Sequence, residues 1–200
     1  QLPIVPAVPC AIDFTSSAVN QRADRHAGSR RLHGQRIQAG GRAFLGEHRH
    51  AAVVFVGFRG LDFTHDRAVG AKMRAYVAAM QQAVARFDGY LAEVEVADKG
   101  SLFLALFGAP SAHEDDEARA VLCALEMQQR AREPDLAWIA GQRIGVSAGP
   151  LFVGAVGAES RWTYTALGDE VNLASRLMER AEWGQVVTSG RVRVRAGRRA

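Results

Sequence analysis

From Ala51 the chain turns apolar without interruption. AAVVFVGF is rich in valine and phenylalanine and is broken only by Arg59-Gly60. A short unbroken apolar run bounded by a turn predicts a buried strand. Between Asp66 and Phe87 the spacing changes: Val69, Met73, Tyr76, Val77, Met80 and Val84 recur every three or four positions. That period predicts an amphipathic helix, ended by Asp88-Gly89. Two strand-like runs follow, YLAEVEVA and SLFLALFG, separated by Asp98-Lys99-Gly100. They predict a hairpin, with a bulged strand as the variant. Ala109-Pro110-Ser111 opens a second helix with HEDDE in its first turn. Acidic residues there suit the positive end of a helix dipole and predict a solvated turn. Val121, Leu122, Leu125 and Met127 give this helix an apolar side. IGVSAG and LFVGAVG predict two strands around Gly149-Pro150, and WTYTAL is a further strand-like piece. GDEVNLASRLMERA reads as a third helix and QVVTS as a short strand. The order is strand, helix, strand pair, helix, strand pair, helix, strand. Such interleaving predicts an α+β fold, a sheet covered by helices on one face.

Residues 1 to about 46 lack any sustained apolar period. GSRRLHGQRIQAGGR is linker-like. The expected organisation is therefore a flexible basic linker over 1–46 and a folded domain over 47–200. His48 and His50, flanking Arg49, read as interdomain chain. The opening LPIVPAVPCAI is apolar, but three prolines break it and no positive charge leads it, which is unlike a signal peptide. No apolar run is long enough to span a bilayer. Cys10 and Cys123 are the only cysteines, so a disulfide framework is not expected and a reducing, cytoplasmic setting is.

Charge changes the picture little. Lys and Arg number 25 against 21 Asp and Glu, a formal net charge of +4. The arginine excess sits at the two ends, in Arg22 to Arg49 and Arg191 to Arg199. No aromatic interleaving or reader motif accompanies it, so nucleic acid is not the expected partner. Gly154 and Gly157 do not have phosphate-loop spacing, and no dinucleotide fingerprint is present.

Chemistry concentrates near the third helix. Asn172 and Arg176 are four apart and share one helix face. Thr165 lies seven residues before Asn172, at the end of WTYTAL. A hydroxyl, an amide and a guanidinium are what a nucleotide site needs. The first can read a base edge and the second can orient a ribose. The third can neutralise a phosphate in the transition state. Spacing alone is also met on an ordinary solvated helix face.

The literal string goes further. YTALGDEVNLASR resembles the YT-x-x-G-x-x-VN-x-A-x-R segment of class III adenylate/guanylate cyclases. IGVSAGPLFVGAVG resembles that family's IG-x-x-x-G-x-x-x-x-G-x-x-G stretch, and ADKGSLFLALFGAP and AAVVFVGFRGLDF resemble its strands. The likeness runs from about Gly46 to Ser189. It implies a ferredoxin-like α+β domain that works as a dimer, with ATP at the interface and two divalent metals held by two aspartates of one half. The products implied are cyclic AMP and pyrophosphate, in intracellular signalling. Carried over, Lys99 and Thr165 would read adenine, Asn172 would position the ribose and Arg176 would stabilise the reacting phosphate. Lysine with threonine favours adenine over guanine, although Glu95 lies on the same strand as Lys99.

Two departures matter. Where the family has F-x-D in the first strand, this chain has Gly57; where it has G-D in the hairpin, this chain has Ser101. Neither replaces a carboxylate for Mg2+, which favours charged oxygen ligands. Asp62 and Asp98 are nearby but misplaced. The resemblance therefore points to the C2-like second half of a composite site, most like that of soluble bicarbonate-type adenylyl cyclases. The chain would be inactive alone, and Mg2+ or Mn2+ would come through a metal-bearing partner domain. A regulatory pseudo-cyclase that binds nucleotide or a partner without turnover is the alternative. Family domains continue beyond QVVTS into further strands, so a domain cut short at its C-terminal edge is expected.

Overall fold

The computed structural model describes residues 46–97, 100–158 and 161–196. The linker-like segment with Cys10, and the turn residues Asp98 and Lys99, lie outside them. β1 (Gly46–Arg59) runs through the middle of the sheet. β3 (Gly100–Phe107) and β4 (Gly141–Ala158) flank it, both antiparallel. β2 (Tyr90–Ala97) lies outside β3, and β5 (Arg161–Leu167) outside β4, giving the order β2-β3-β1-β4-β5. β6 (Val186–Thr188) adds one parallel pairing to β4 and makes the sheet mixed.

A strand with neighbours on both sides and cover on both faces can be apolar throughout. Ala52, Val54, Val56 and Phe58 turn one way, under α1 (Val69–Arg86) and α2 (Asp116–Arg130). Ala51 and Val53 turn the other way, with Leu104, Leu106, Leu151 and Ala174 of α3 (Asp169–Arg180). α4 (Gly190–Ala196) adds Val192 to the first cluster. Helices thus cover both faces, where the sequence pattern predicts one. The buried residues of α3 are only Ala174 and Met178, too thin a stripe to announce a packed face.

Four further expectations from the sequence need correction. β1 starts at Gly46 and includes His48 and His50, because its ladder with β4 continues to Gly46–Gly154. Backbone pairing needs no apolar side chains. Next, IGVSAG and LFVGAVG form one strand, not two. Before Pro150, β4 lies between β1 and β6; beyond it, between β1 and β5. The proline sits at the changeover, opposite His50, where a missing N–H costs least. On α2, Leu122 and Leu125 face outward, 52% and 48% exposed, while Ala120, Cys123, Ala124 and Met127 are buried. Small residues let α2 approach the sheet closely. Finally, HEDDE is not a solvated turn, since Asp116 and Glu117 are both buried. Asp116 accepts the His113 amide at 2.8 Å. Glu117 accepts Arg195 Nη1 from α4 at 2.7 Å and lies 2.7 Å from His50 Nε2. Burial works against the Glu117 charge, but the bonds to His50 and Arg195 outweigh it and hold the carboxyl below its ordinary range. The hairpin of β2 and β3 forms as predicted, with a register shift between Leu91 and Glu93. No helix among the described residues is long and apolar enough to cross a membrane.

Candidate functional site

α3 carries the chemistry, and β4 decides how it sits. Gly145 lies beneath the helix, and a Cβ there would run into the Ala174 carbonyl oxygen and the Met178 amide. Only glycine allows this approach. At its N-terminal turn, Glu170 accepts the hydroxyl of fully buried Ser147 from β4. Glu170 also pairs with Arg191 of α4 at 3.1 Å. With Glu170, Ala174 and Met178 turned to the sheet, the 3.6-residue period turns Asn172, Leu173 and Arg176 to solvent.

Asn172 and Arg176 therefore share one exposed surface, as their spacing predicts. Arg176 makes no ion pair with any described residue. An unpaired guanidinium beside an exposed amide can receive an anionic, hydroxyl-bearing ligand. Thr165 is half-buried on β5, opposite Gly154 of β4. Its neighbour Ala166 packs into the cluster on the α3 side, so alternation sends Thr165 from the other face of β5. The single chain does not gather the three into one pocket. Lys99 lies outside the described residues.

The metal positions are a separate matter. Gly57 is buried in β1, opposite Leu102 of β3 and Arg143 of β4. A Cβ on Gly57 would stand 2.6 Å from the Met178 sulfur of α3. Ser101 is buried one rung away, opposite Phe58. Adjacent rungs point to opposite faces, so Gly57 and Ser101 do not converge. Asp62 is spent locally. Its carboxylate accepts the amides of His65 and Thr64, both at 2.9 Å, and these bonds hold it below the ordinary carboxylate range. Among the described residues no three His, Cys, Asp or Glu side chains gather where a metal could sit. The residues present do not fit a divalent cation: one position offers no ligand and is covered by a thioether, and the other offers a neutral hydroxyl.

Comparison with known proteins decides the family. The family model described as the adenylate and guanylate cyclase catalytic domain matches residues 46–196. The chain belongs to this family. The cyclase domain is 32% identical over 136 residues to human adenylate cyclase type 10, covering 68% of this chain and 8% of that protein. It is 36% identical over 141 residues to an uncharacterized protein of Mycobacterium tuberculosis, covering 68% of this chain and 25% of that one. It thus spans a quarter or less of either relative. Among solved structures, the guanylyl cyclase Cya2 superposes with a TM-score of 0.69 at 28% identity, over 76% of this chain and 81% of that chain. The adenylyl cyclase CyaB from P. aeruginosa gives 0.69 at 24% identity, over 76% and 83%, which speaks for the fold alone. Both adenylyl and guanylyl enzymes thus stand among its neighbours.

Three features of this cyclase domain escaped the sequence reading. Met178 over Gly57 was hidden because the two are far apart in the chain. Ser147 beneath Glu170 looked like any small residue in a glycine-rich strand. Arg143, opposite Gly57, falls in a run whose apolar neighbours dominate the pattern. The register of β1 with β4 would have paired Gly57 with Arg143.

Proposed function

We propose that this domain is the C2-like half of a composite adenylate cyclase site. One observation carries the reading: Gly57, at the family's metal-aspartate position, is closed by Met178, while Asn172 and Arg176 stay exposed and uncommitted on the same helix. Loss is confined to the metal side. In this reading Asn172 hydrogen-bonds the ribose and fixes its 3′-hydroxyl toward the α-phosphate. Arg176 neutralises charge that builds on that phosphate as the hydroxyl attacks and pyrophosphate leaves. Thr165 and Lys99 read adenine. ATP lies between this domain and a metal-bearing cyclase domain, in the same polypeptide or another chain, and Mg2+ or Mn2+ comes through that partner. The likeness to human adenylate cyclase type 10 supports adenine. The setting this reading implies is cytoplasmic signalling.

The test is reconstitution. The chain is mixed with a metal-bearing cyclase domain, ATP and Mn2+, and cyclic AMP is measured. Activity that needs both partners and falls with Arg176→Ala supports the proposal. Nucleotide binding without product from any competent partner supports the regulatory pseudo-cyclase instead.

A further inference from the structure

The first turn of α3 has no cap of its own. Its N-cap is Gly168, and no side chain among the described residues caps its free amides. Glu170 fixes the turn instead. One carboxylate oxygen accepts the hydroxyl of fully buried Ser147, and the other accepts Arg191 Nη1 of α4 at 3.1 Å. Ser147 and Gly149 face α3, because their partners on β1, Val53 and Ala51, belong to the cluster on that side. The ion pair lies directly on the strand: a Cβ on Gly149 would stand 2.4 Å from both Glu170 Oε1 and Arg191 Nη1.

α4 has seven residues, too few to keep a helix in water without tertiary anchors. Val192 anchors it in the core. Arg191 and Arg195, four apart, share one of its faces. They pair with carboxylates of two different helices, Glu170 of α3 and Glu117 of α2. α4 is thus a brace between α2 and the helix that carries Asn172 and Arg176. The Arg191 side chain is 53% exposed and that of Glu170 15%. A pair this open adds little to global stability. It does fix the direction of the Glu170 carboxylate, and with it the turn two residues before Asn172.

We infer that Arg191, acting through Glu170, is a positioning residue for Asn172: it sets how the first turn of α3 sits on β4, and so where the Asn172 amide meets a bound ribose. This rests on the half-site reading, which gives Asn172 that ligand. Arg191 itself touches no substrate there. An orienting group displaced by about 1 Å can cost about a hundredfold in rate. A turn that keeps Ser147 and loses only Arg191 should lose less, about tenfold.

The experiment compares native chain, Arg191→Gln, Arg191→Lys and Arg193→Gln, each mixed with a metal-bearing cyclase domain, ATP and Mn2+. Arg191→Gln lowers kcat about tenfold, with KM for ATP within about twofold of native. Its melting temperature stays within about 4 °C of native. Arg191→Lys keeps the charge and recovers most of the lost rate. Arg193, exposed on the same helix, makes no ion pair with any described residue, and Arg193→Gln leaves kcat unchanged. Hydrogen exchange of the chain alone, without partner or nucleotide, follows the amides of Val171 and Asn172, which bond the Gly168 carbonyl at 3.1 and 3.4 Å. Both exchange about threefold faster in Arg191→Gln and at the native rate in Arg193→Gln. Unchanged kcat in an active mixture, an equal fall with Arg193→Gln, a change in KM alone, or unchanged exchange overturns the inference. A native mixture that makes no cyclic AMP ends the half-site reading instead, and the exchange rates still decide whether Arg191 holds the turn.

Discussion

The sulfur of Met178 stands 2.6 Å from where a Cβ on Gly57 would be. One side chain on α3 thus fills the space that a metal-binding carboxylate on β1 would need. The two positions are coupled: a larger residue at 57 requires the Met178 side chain to move. Gly57→Ala should overpack this contact and cost about 1–3 kcal/mol. Met178→Ala alone should cost about 2–5 kcal/mol through the cavity it leaves. Together they should cost less than their sum by at least about 0.5 kcal/mol. Urea denaturation of the four proteins in the cycle measures this coupling. Strict additivity would mean that Met178 does not close the position.

α3 should respond very differently on its two sides. Asn172→Ala and Arg176→Ala remove exposed groups that bond to no described residue, so each should change stability by less than about 0.5 kcal/mol. Glu170→Ala strips the buried Ser147 hydroxyl of its acceptor and breaks the pair to Arg191. It should cost about 1–3 kcal/mol. Thermal melts of the three variants compare the sides. Equal losses would mean that Asn172 and Arg176 are structural.

Acid should loosen the joint between α2, β1 and α4. The Glu117 carboxyl is held below its ordinary value of 4.5 in the folded chain. A lowered carboxyl contributes stability that is fully present above the unfolded value and is lost as pH falls through the folded one. Stability should therefore decline below about pH 4.5 through this group. Glu117→Gln should be less stable at neutral pH and should show a shallower decline in acid. Melting temperature followed from pH 7 to pH 3 gives both slopes. Parallel curves would show that Glu117 does not contribute.

Cys123 should be inert in the native state. Burial, first of all, and the nearby Glu126 charge push its thiol up to about 12. Native labelling with a thiol reagent at pH 8, read by peptide mass mapping, should leave Cys123 unmodified until denaturant is added. Labelling at the native rate of an exposed thiol would contradict its place on the buried side of α2.

What the sequence revealed, and what it hid, follows the range of the interactions. Hydropathy pattern located the apolar part of β1, α1 and the hairpin because each is one local run, whereas α3 was legible from its string rather than from an apolar stripe. The spacing of Asn172 and Arg176 placed them on one surface because a helix converts spacing directly into direction. The glycine and serine at the aspartate positions were legible from the string alone. Pairing was not. That β4 runs through Pro150 depends on which strand lies beside it, and that Glu117 is buried depends on Arg195 arriving from α4. The outward turn of Leu122 and Leu125 likewise depends on Ala120 and Ala124 meeting the sheet. Met178 over Gly57 joins residues on two elements with most of the domain between them. No local pattern carries that contact, yet it determines how the metal side of the site is read.

The central claim is that this chain supplies the base, ribose and phosphate contacts while another domain supplies the metals. Cyclic AMP formation from ATP and Mn2+ tests it, measured for the chain alone, for a metal-bearing cyclase domain alone, and for the mixture with native or Arg176→Ala chain. The account predicts product in the native mixture well above either component, and a fall of about a hundredfold with Arg176→Ala. Robust cyclic AMP from the chain alone, or a mixture indifferent to Arg176→Ala, would contradict it.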